Sequence, residues 1–204
     1  MIFCNEPKPF PYLKVREFYD ERELGLIWQE LEFLTYKDKL EPPSETGQKD
    51  NDMKSNSGVF LDGLYKNRSF SNILTVNRKL FSRDIMEAMV NLDKIMSAYY
   101  NNCDHDGSLV SYYEQADYYK SHVDKTIITS ISWHFKKPKG FTGGDLIFTD
   151  YNERIEIEDN MLVIFPSCIR HEVTAIEMNP GIESFTGYGR YALSNFVGYD
   201  PNKD

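Results

Sequence analysis

The chain has 204 residues, enough for one substantial core; 41% are hydrophobic, and 14 Tyr with 13 Phe favour strands and aromatic-lined cavities over disorder. A formal net charge of -9 argues against a phosphate-backbone binder held by counterion release. No apolar run approaches the roughly 18 residues of a membrane span, and the first residues lack a basic segment followed by an apolar one.

Cys4, Cys103 and Cys168 are odd in number, widely spaced and form no Cys-x-x-Cys zinc pattern, which suits a reducing compartment. The chain therefore reads as soluble, unexported and cytoplasmic. Residues 10–15 read as a short strand, with Pro11 at its start or on an edge. Asp20 and Glu23 form a capping box, and Leu24, Ile27, Trp28, Leu31 and Leu34 recur at helical spacing, predicting a core-packing helix over 21–34. From Lys37 to Ser57, Pro42, Pro43, Gly47 and many polar residues predict a mobile loop, a lid over a cleft or a disordered insertion. Val59 to Leu61 suggests a short strand, followed by a turn at Asp62 and Gly63.

Ser82, or alternatively Asn77, caps a helix predicted over 83–100, whose apolar face runs through Ile85, Met86, Met89, Leu92, Ile95, Met96 and Tyr99. After a polar break at 101–107 the pattern becomes strand-rich: 109–113, 126–135, 145–149, 155–157, 161–165, 171–176 and 190–197. Turns are expected at Pro138 to Gly140, Gly143 and Gly144, Asp159 and Asn160, Asn179 to Gly181, and Gly187 to Gly189. Many short strands after two amphipathic helices predict a mainly β fold, a double-sheet barrel with helices covering one outer face. It is expected as one domain over 1–204, with helical support and a variable loop in 1–108, the barrel in 109–198, and residues 199–204 as an unstructured tail.

Three residues carry metal chemistry. In an extended segment His122 and Asp124, two apart, point to the same side, and His171 follows another apolar run. Two imidazoles and one carboxylate form the facial arrangement that holds non-haem Fe(II) while leaving other positions open. Structural zinc more commonly takes four protein ligands, often thiolates; Cys168 near His171 is the minor candidate for such a role. Arg190 opens an alternating segment in which 190, 192 and 194 share one face. A guanidinium pointing into a barrel is costly unless it meets an anion, and its fork matches a carboxylate. A dicarboxylate cosubstrate accounts for it, one end on the metal and the other on Arg190 and Ser194; the bland alternative is a solvated strand-end arginine.

Taken together, these residues resemble the Fe(II)- and 2-oxoglutarate-dependent dioxygenases, nearest the prolyl-4-hydroxylase-like branch. The family pattern of His-x-Asp, a distal His and a later Arg or Lys falls on His122, Asp124, His171 and Arg190. Tyr113, Ala116, Tyr119, His122 and Asp124 follow the branch's Tyr-x-x-Gly-x-x-Tyr-x-x-His-x-Asp, with Ala116 in place of glycine. Thr142, Gly143, Gly144, Asp145 and Leu146 resemble its Thr-Gly-Gly-acid-Leu strand, and Phe165, Pro166 and Ser167 its approach to the distal ligand. The interval from His171 to Arg190 is longer than the family's usual one, which suggests an extended hairpin over Met178 to Gly187. Arg170 is the alternative basic residue, but it would face away from His171.

The resemblance implies a double-stranded β-helix (jelly-roll, cupin-like) core, with Fe(II), 2-oxoglutarate and O2 as cofactor and cosubstrates and ascorbate as a candidate reductant. It also implies hydroxylation of a C–H bond, with prolyl 4-hydroxylation of a protein or peptide favoured. Alternatives are a free amino acid or small metabolite as substrate, a metal-bound but non-catalytic jelly-roll binding module, or a cupin-type isomerase; a nucleic-acid substrate is disfavoured by charge. Tyr112 or Tyr113 is expected to hydrogen-bond the 2-oxoglutarate carboxylate, and Trp133 to sit beside the cosubstrate, with Thr129 or Ile131 on the same strand face; aromatic packing and barrel core are the competing readings. His134, of opposite parity, is expected at the surface or as an outer partner of the site. His105 is expected to be exposed, Asp145 to be a surface carboxylate or an outer partner of the metal, and Glu172 to point away from it.

Overall fold

A computed structural model of the chain describes residues 1–4, 8–47 and 52–200. In chain order the elements are β1 (Ile2–Phe3), β2 (Leu13–Arg16), α1 (Glu21–Tyr36), β3 (Ser57–Phe60), α2 (Leu61–Leu64), α3 (Asn72–Val76), α4 (Arg83–Leu92) and α5 (Lys94–Asn102). There follow β4 (His105–Tyr113), β5 (Tyr119–His122), β6 (Ile128–His134), β7 (Phe141–Gly143), β8 (Leu146–Phe148), β9 (Glu153–Ile155), β10 (Met161–Pro166), β11 (His171–Val173), β12 (Ile176–Met178) and β13 (Arg190–Gly198).

Helix α1 starts where its capping box dictates. The Asp20 carboxylate accepts from Glu23 N at 2.8 Å and Glu23 reciprocates to Asp20 N at 2.8 Å. Ile27, Leu31 and Leu34 are fully buried, and Trp28, half-buried, meets Tyr191 edge to face. Buried Glu30 accepts hydrogen bonds from Ser71 Oγ and Ile73 N, both at 2.8 Å, so a carboxylate on α1 covers the amino end of α3.

The single helix expected over 83–100 is two helices. Asp93 is extended (φ -159°, ψ 123°) and caps α5 by accepting from Met96 N at 2.7 Å. The break resets the helical phase: Ile85, Met89 and Met96 are buried as expected, whereas Ile95 and Tyr99 are 70% and 52% exposed and Tyr100 is buried instead. Ser82 occupies the cap position of α4 without a side-chain hydrogen bond. Asp62 and Gly63 lie inside α2 rather than in a turn.

The strands form a seven-stranded sheet in the order β1-β2-β10-β6-β13-β4-β3, a four-stranded sheet β5-β11-β8-β9, and the pair β12-β7. The fold is thus mainly β with supporting helices, and the division expected at residue 108 is crossed by β1, β2 and β3, which belong to the large sheet. The stretch expected as one strand over 171–176 is two: β11 pairs with β5 and β8, while β12 pairs with β7. Because β12 pairs there and not with β13, the hairpin expected over Met178 to Gly187 is absent; Phe185 N instead donates to Glu114 Oε1 at 2.7 Å.

Alternation along the large sheet divides the core. Leu162, Ile164, Tyr191, Leu193 and Val197 face the helices, and Ile131, Trp133, Met161, Val163, Phe165 and Ala192 face the small sheet. His134 belongs to the helix-facing set. Expected at the surface or beside the site, it is fully buried near the Tyr19 ring, because helices cover that face. The stretch 37–57, expected as a mobile loop, a lid or a disordered insertion, is tied to both sheets where described: Glu41 bridges to Gly58 of β3, Lys54 bridges to Tyr119 of β5, and Thr46, Lys54 and Asn56 are buried. Residues 48–51 of that expected loop and 201–204 of the expected tail lie outside the described residues. Among the described residues no helix is long and apolar enough to cross a membrane.

Two predictions follow from this framework. Ala116 stands at φ +65°, left-handed backbone that costs an L-residue about 1–2 kcal/mol, against about 0.5–1 kcal/mol for glycine's extra chain entropy. Ala116→Gly is therefore expected to raise stability by up to about 1 kcal/mol, read from urea midpoints. Burial holds the His134 pKa down, to about 3. Below the unfolded value of about 6.5 only the unfolded chain takes up this proton, so stability falls from about pH 6.5 towards pH 3, by up to about 1.4 kcal/mol per unit for this group. His134→Leu should flatten that dependence, measured as the difference in urea midpoint between pH 6.5 and pH 4.5.

Candidate metal centre and anion cleft

The two histidines are brought together by strand pairing. His122 ends β5, His171 begins β11, and they are direct cross-strand partners with ring centroids 4.3 Å apart. Asp124 lies just past the end of β5, its N–H bonded to Ser167 O at 3.1 Å. His122 Nε2 lies 3.8 Å from Asp124 Oδ1, and His171 Nε2 lies 3.6 Å from Asp124 Oδ2. One ligand atom from each of the three residues falls within 4.8 Å of the others.

Each imidazole is oriented from behind. His122 Nδ1–H donates to Lys120 O at 2.8 Å and His171 Nδ1–H to Ile169 O at 2.9 Å, which leaves both Nε2 lone pairs facing Asp124. Tyr119 stacks on the His122 ring at 3.7 Å, and Phe165 meets the His171 ring edge-on at 4.9 Å. Burial, and next the neighbouring His171, lower the His122 pKa to about 3, so this ring is a neutral ligand at ordinary pH. Two imidazoles and one carboxylate fit a divalent first-row metal better than a closed structural zinc site. Cys168 is exposed and outside the cluster.

The triad opens into a cleft of about 500 Å³ between the sheets. Its wall is built from alternate residues of three adjacent strands: Leu109, Ser111 and Tyr113 on β4, Thr129 and Ile131 on β6, and Arg190, Ala192 and Ser194 on β13. Arg190 is 1% exposed, its guanidinium 4.5 Å over the Tyr113 ring, and Nε and Nη1 have no hydrogen-bond partner among the described residues. Burial lowers the Arg190 pKa, and burial raises that of Tyr113, against the pull of Arg190. A buried cation with two unpaired donors is the complement of an anion. Gly144 makes room for it: a Cβ there would lie 2.8 Å from Arg190 Cδ, and at Gly143 one would lie 2.1 Å from Ala175 O. Both glycines have positive φ (71° and 73°), which accounts for the double glycine before β8.

Of the other sequence candidates, Tyr113 and Ser194 line the cleft with Arg190. Tyr112, the alternative to Tyr113, points to the helix side; it packs on Tyr191 at 4.4 Å and donates to Glu114 Oε1. Trp133 shares the inner face but lies fully buried, its ring 5.9 Å from the Arg190 guanidinium, as barrel core beneath the cleft. Asp145 is not a surface carboxylate; it is buried and accepts from Arg154 Nη2 at 2.6 Å and Nε at 3.0 Å. His105 is exposed, at the cleft's outer end, and Glu172 does not line the cleft. The sequence reading missed the Tyr119 stack and the hydroxyl of Thr129 donating to Asp124 Oδ2 at 2.6 Å; Glu45, Thr46 and Gly47, from the stretch expected as a lid or mobile loop, also line the cleft. Only parity with Ile131 marked Thr129.

No protein-family model matches the chain, and no curated protein matches it in sequence. Solved structures do. A prolyl-4-hydroxylase of Pseudomonas putida superposes with a TM-score of 0.63 at 15% identity, over 93% of this chain and 94% of that one. A 2OG-Fe(II) oxygenase-family oxidoreductase of Burkholderia pseudomallei gives 0.62 at 12% identity, over 96% and 92%. A prolyl hydroxylase of Trichoplax adhaerens, solved with a peptide fragment of the hypoxia inducible factor oxygen degradation domain, gives 0.60 at 12% identity, over 92% and 83%. At these identities the likeness is one of fold, and it bears out the jelly-roll core expected from the sequence.

The geometry predicts one divalent-metal site. Calorimetric titration with Mn(II) should give a stoichiometry of one, and His171→Ala should weaken binding by more than the roughly 10–100-fold typical of losing an outer partner. Unchanged affinity in that variant would remove His171 from the site.

Proposed function

We propose that the chain is an Fe(II)- and 2-oxoglutarate-dependent dioxygenase that hydroxylates a C–H bond, with a prolyl residue in a protein or peptide as substrate. The observation that carries this reading is Arg190: a buried guanidinium with two unpaired donors in the same cleft as the His122, Asp124 and His171 cluster. A metal triad alone fits many chemistries. A triad that shares a cleft with a buried anion receptor fits a metal whose cosubstrate carries a second carboxylate.

In this reading His122, Asp124 and His171 hold the iron, which when bound supplies the activation of O2 that the side chains cannot. The balanced reaction converts 2-oxoglutarate, O2 and R–H into succinate, CO2 and R–OH. The chain's own part is positional. Arg190 would take the far carboxylate of 2-oxoglutarate, Tyr113 and Ser194 offer hydroxyls from the same wall, and Ile131 and Ala192 supply apolar contact. Trp133 packs beneath Arg190 and does not line the cleft. Depth in the cleft keeps the reacting groups from bulk water. One negative protein ligand leaves Fe(II) with net positive charge, and Arg190 adds another, so a dianion is favoured locally despite the acidic surface.

The prolyl reading rests on the fold it shares with the Pseudomonas and Trichoplax prolyl hydroxylases, and the peptide seen with the latter is the reason to favour a peptide here. At the outer end of the cleft Phe60, Leu109 and Phe196 offer apolar surface between His105, Lys125 and Glu45, a mixed lining suited to a peptide side chain and its backbone.

Anaerobic addition of Fe(II) and then 2-oxoglutarate should produce a metal-to-ligand charge-transfer band. Losing one partner of a buried charge pair costs about 2–5 kcal/mol, so Arg190→Met should raise the 2-oxoglutarate concentration for half-saturation at least about 30-fold. No band in iron-loaded protein would overturn the cosubstrate assignment. A panel of prolyl peptides and free amino acids, scored by succinate release together with gain of one oxygen atom, tests the substrate; oxygen gained only by free amino acids would overturn the peptide reading.

A further inference from the structure

Behind Asp124 the structure holds a chain of three hydroxyls. Thr129 Oγ1 lies 2.6 Å from Asp124 Oδ2, Ser167 Oγ lies 2.8 Å from Thr129 Oγ1, and Thr126 Oγ1 lies 2.9 Å from Ser167 Oγ. Thr129 and Ser167 are 1% and 0% exposed, so water does not compete for them. Proton counting fixes the direction. A carboxylate only accepts, so the single proton of Thr129 goes to Asp124 Oδ2. The contact between Thr129 and Ser167 then uses the Ser167 proton, and that between Ser167 and Thr126 uses the Thr126 proton. All three O–H dipoles point towards the carboxylate, and such a chain polarises along its length.

We propose that Thr129 and Ser167 are positioning residues for the metal centre, and that the hydroxyl chain selects which oxygen of Asp124 meets the metal. Thr129 donates to Oδ2, which also lies 3.6 Å from His171 Nε2, while Oδ1, 3.8 Å from His122 Nε2, has no hydrogen-bond donor among the described residues and keeps both lone pairs for a metal. The chain therefore presents Asp124 as a charged ligand through one oxygen, which keeps a further metal position open for cosubstrate. It also ties together the segments that carry the ligands. Thr126 and Asp124 lie in the turn after β5, Thr129 lies on β6, and Ser167 lies in the connection that delivers His171. Two backbone bonds brace the same junction, Asp124 N to Ser167 O at 3.1 Å and Ser167 N to Ile127 O at 3.0 Å.

This inference rests on the metal-centre reading and is tested without turnover. Metal-free protein is titrated calorimetrically with Co(II), an air-stable stand-in for Fe(II), in wild type, Thr129→Val, Thr129→Ser and Ser167→Ala, with circular dichroism and melting temperature of the metal-free forms as fold controls. Valine keeps the shape and removes the hydroxyl, and its Kd is expected to rise about 10–100-fold. Serine restores the hydroxyl and is expected to stay within a few-fold of wild type, while Ser167→Ala falls between the two. Valine at wild-type affinity, or serine as weak as valine, overturns the role of the hydroxyl; if the valine variant does not fold, Ser167→Ala at wild-type affinity overturns the relay. Wild type that binds no Co(II) overturns the metal centre itself, a result distinct from all of these.

Discussion

The antiparallel pairing of β5 with β11 is the constraint on which the site depends. It sets His171 directly opposite His122 and so brings the imidazoles of two short strand ends from distant parts of the chain to 4.3 Å between ring centroids. Neither strand is strong by itself: β5 has four residues and β11 three. Their register is fixed from outside. On one flank β11 pairs with β8 residue for residue, and Phe148, the partner of His171, packs on Phe165 and Phe10 in the inner core. A one-residue slip of β11 would turn His171 towards the opposite face, so burial of those aromatics holds it opposite His122.

The large sheet performs a second task through its two faces. One face is the bed for the helices, the other the wall of the cleft, and every residue of β4, β6 and β13 is assigned to one or the other by parity. This explains why Tyr113 and Arg190 meet across the β4–β13 ladder while Tyr112 and Tyr191 meet behind it. It also explains why Trp133 and His134, adjacent in sequence and both fully buried, lie in different cores. The sheet separates a helix-side interior, whose polar groups are structural, from a cleft-side interior whose polar groups include an unsatisfied guanidinium.

What was legible in the sequence follows from this division. His122, Asp124, His171 and Arg190 were readable because their spacing and parity are local properties, and α1 because its capping box and stripe lie within one stretch. The break at Asp93 was hidden by an apolar pattern that continues across it; only the capping bond to Met96 N reveals that the phase resets. The fate of His134 depended on which sheet face carried helices, which parity cannot say. Asp145 looked like a surface carboxylate because its partner, Arg154, is delivered by the β8–β9 pairing rather than by helical or turn spacing. The hydroxyls of Ser167 and Thr129 reach Asp124 from two other segments, so no motif length contains them.

The site's polar residues also set its thermodynamic character. Two imidazoles, a carboxylate and a guanidinium with two donors unpaired among the described residues have been taken out of water, and the protein gives them only partial compensation: carbonyls for the histidine Nδ1 atoms, one hydroxyl for Asp124, and the faces of aromatic rings for Arg190. Buried donors left unpaired cost more than the same groups cost in water, so the ligand-free site is a local debit against the two apolar cores on either side. A cation among the three ligands and an anion on Arg190 would each remove part of that cost, and removal in the folded state alone is stabilisation by linkage.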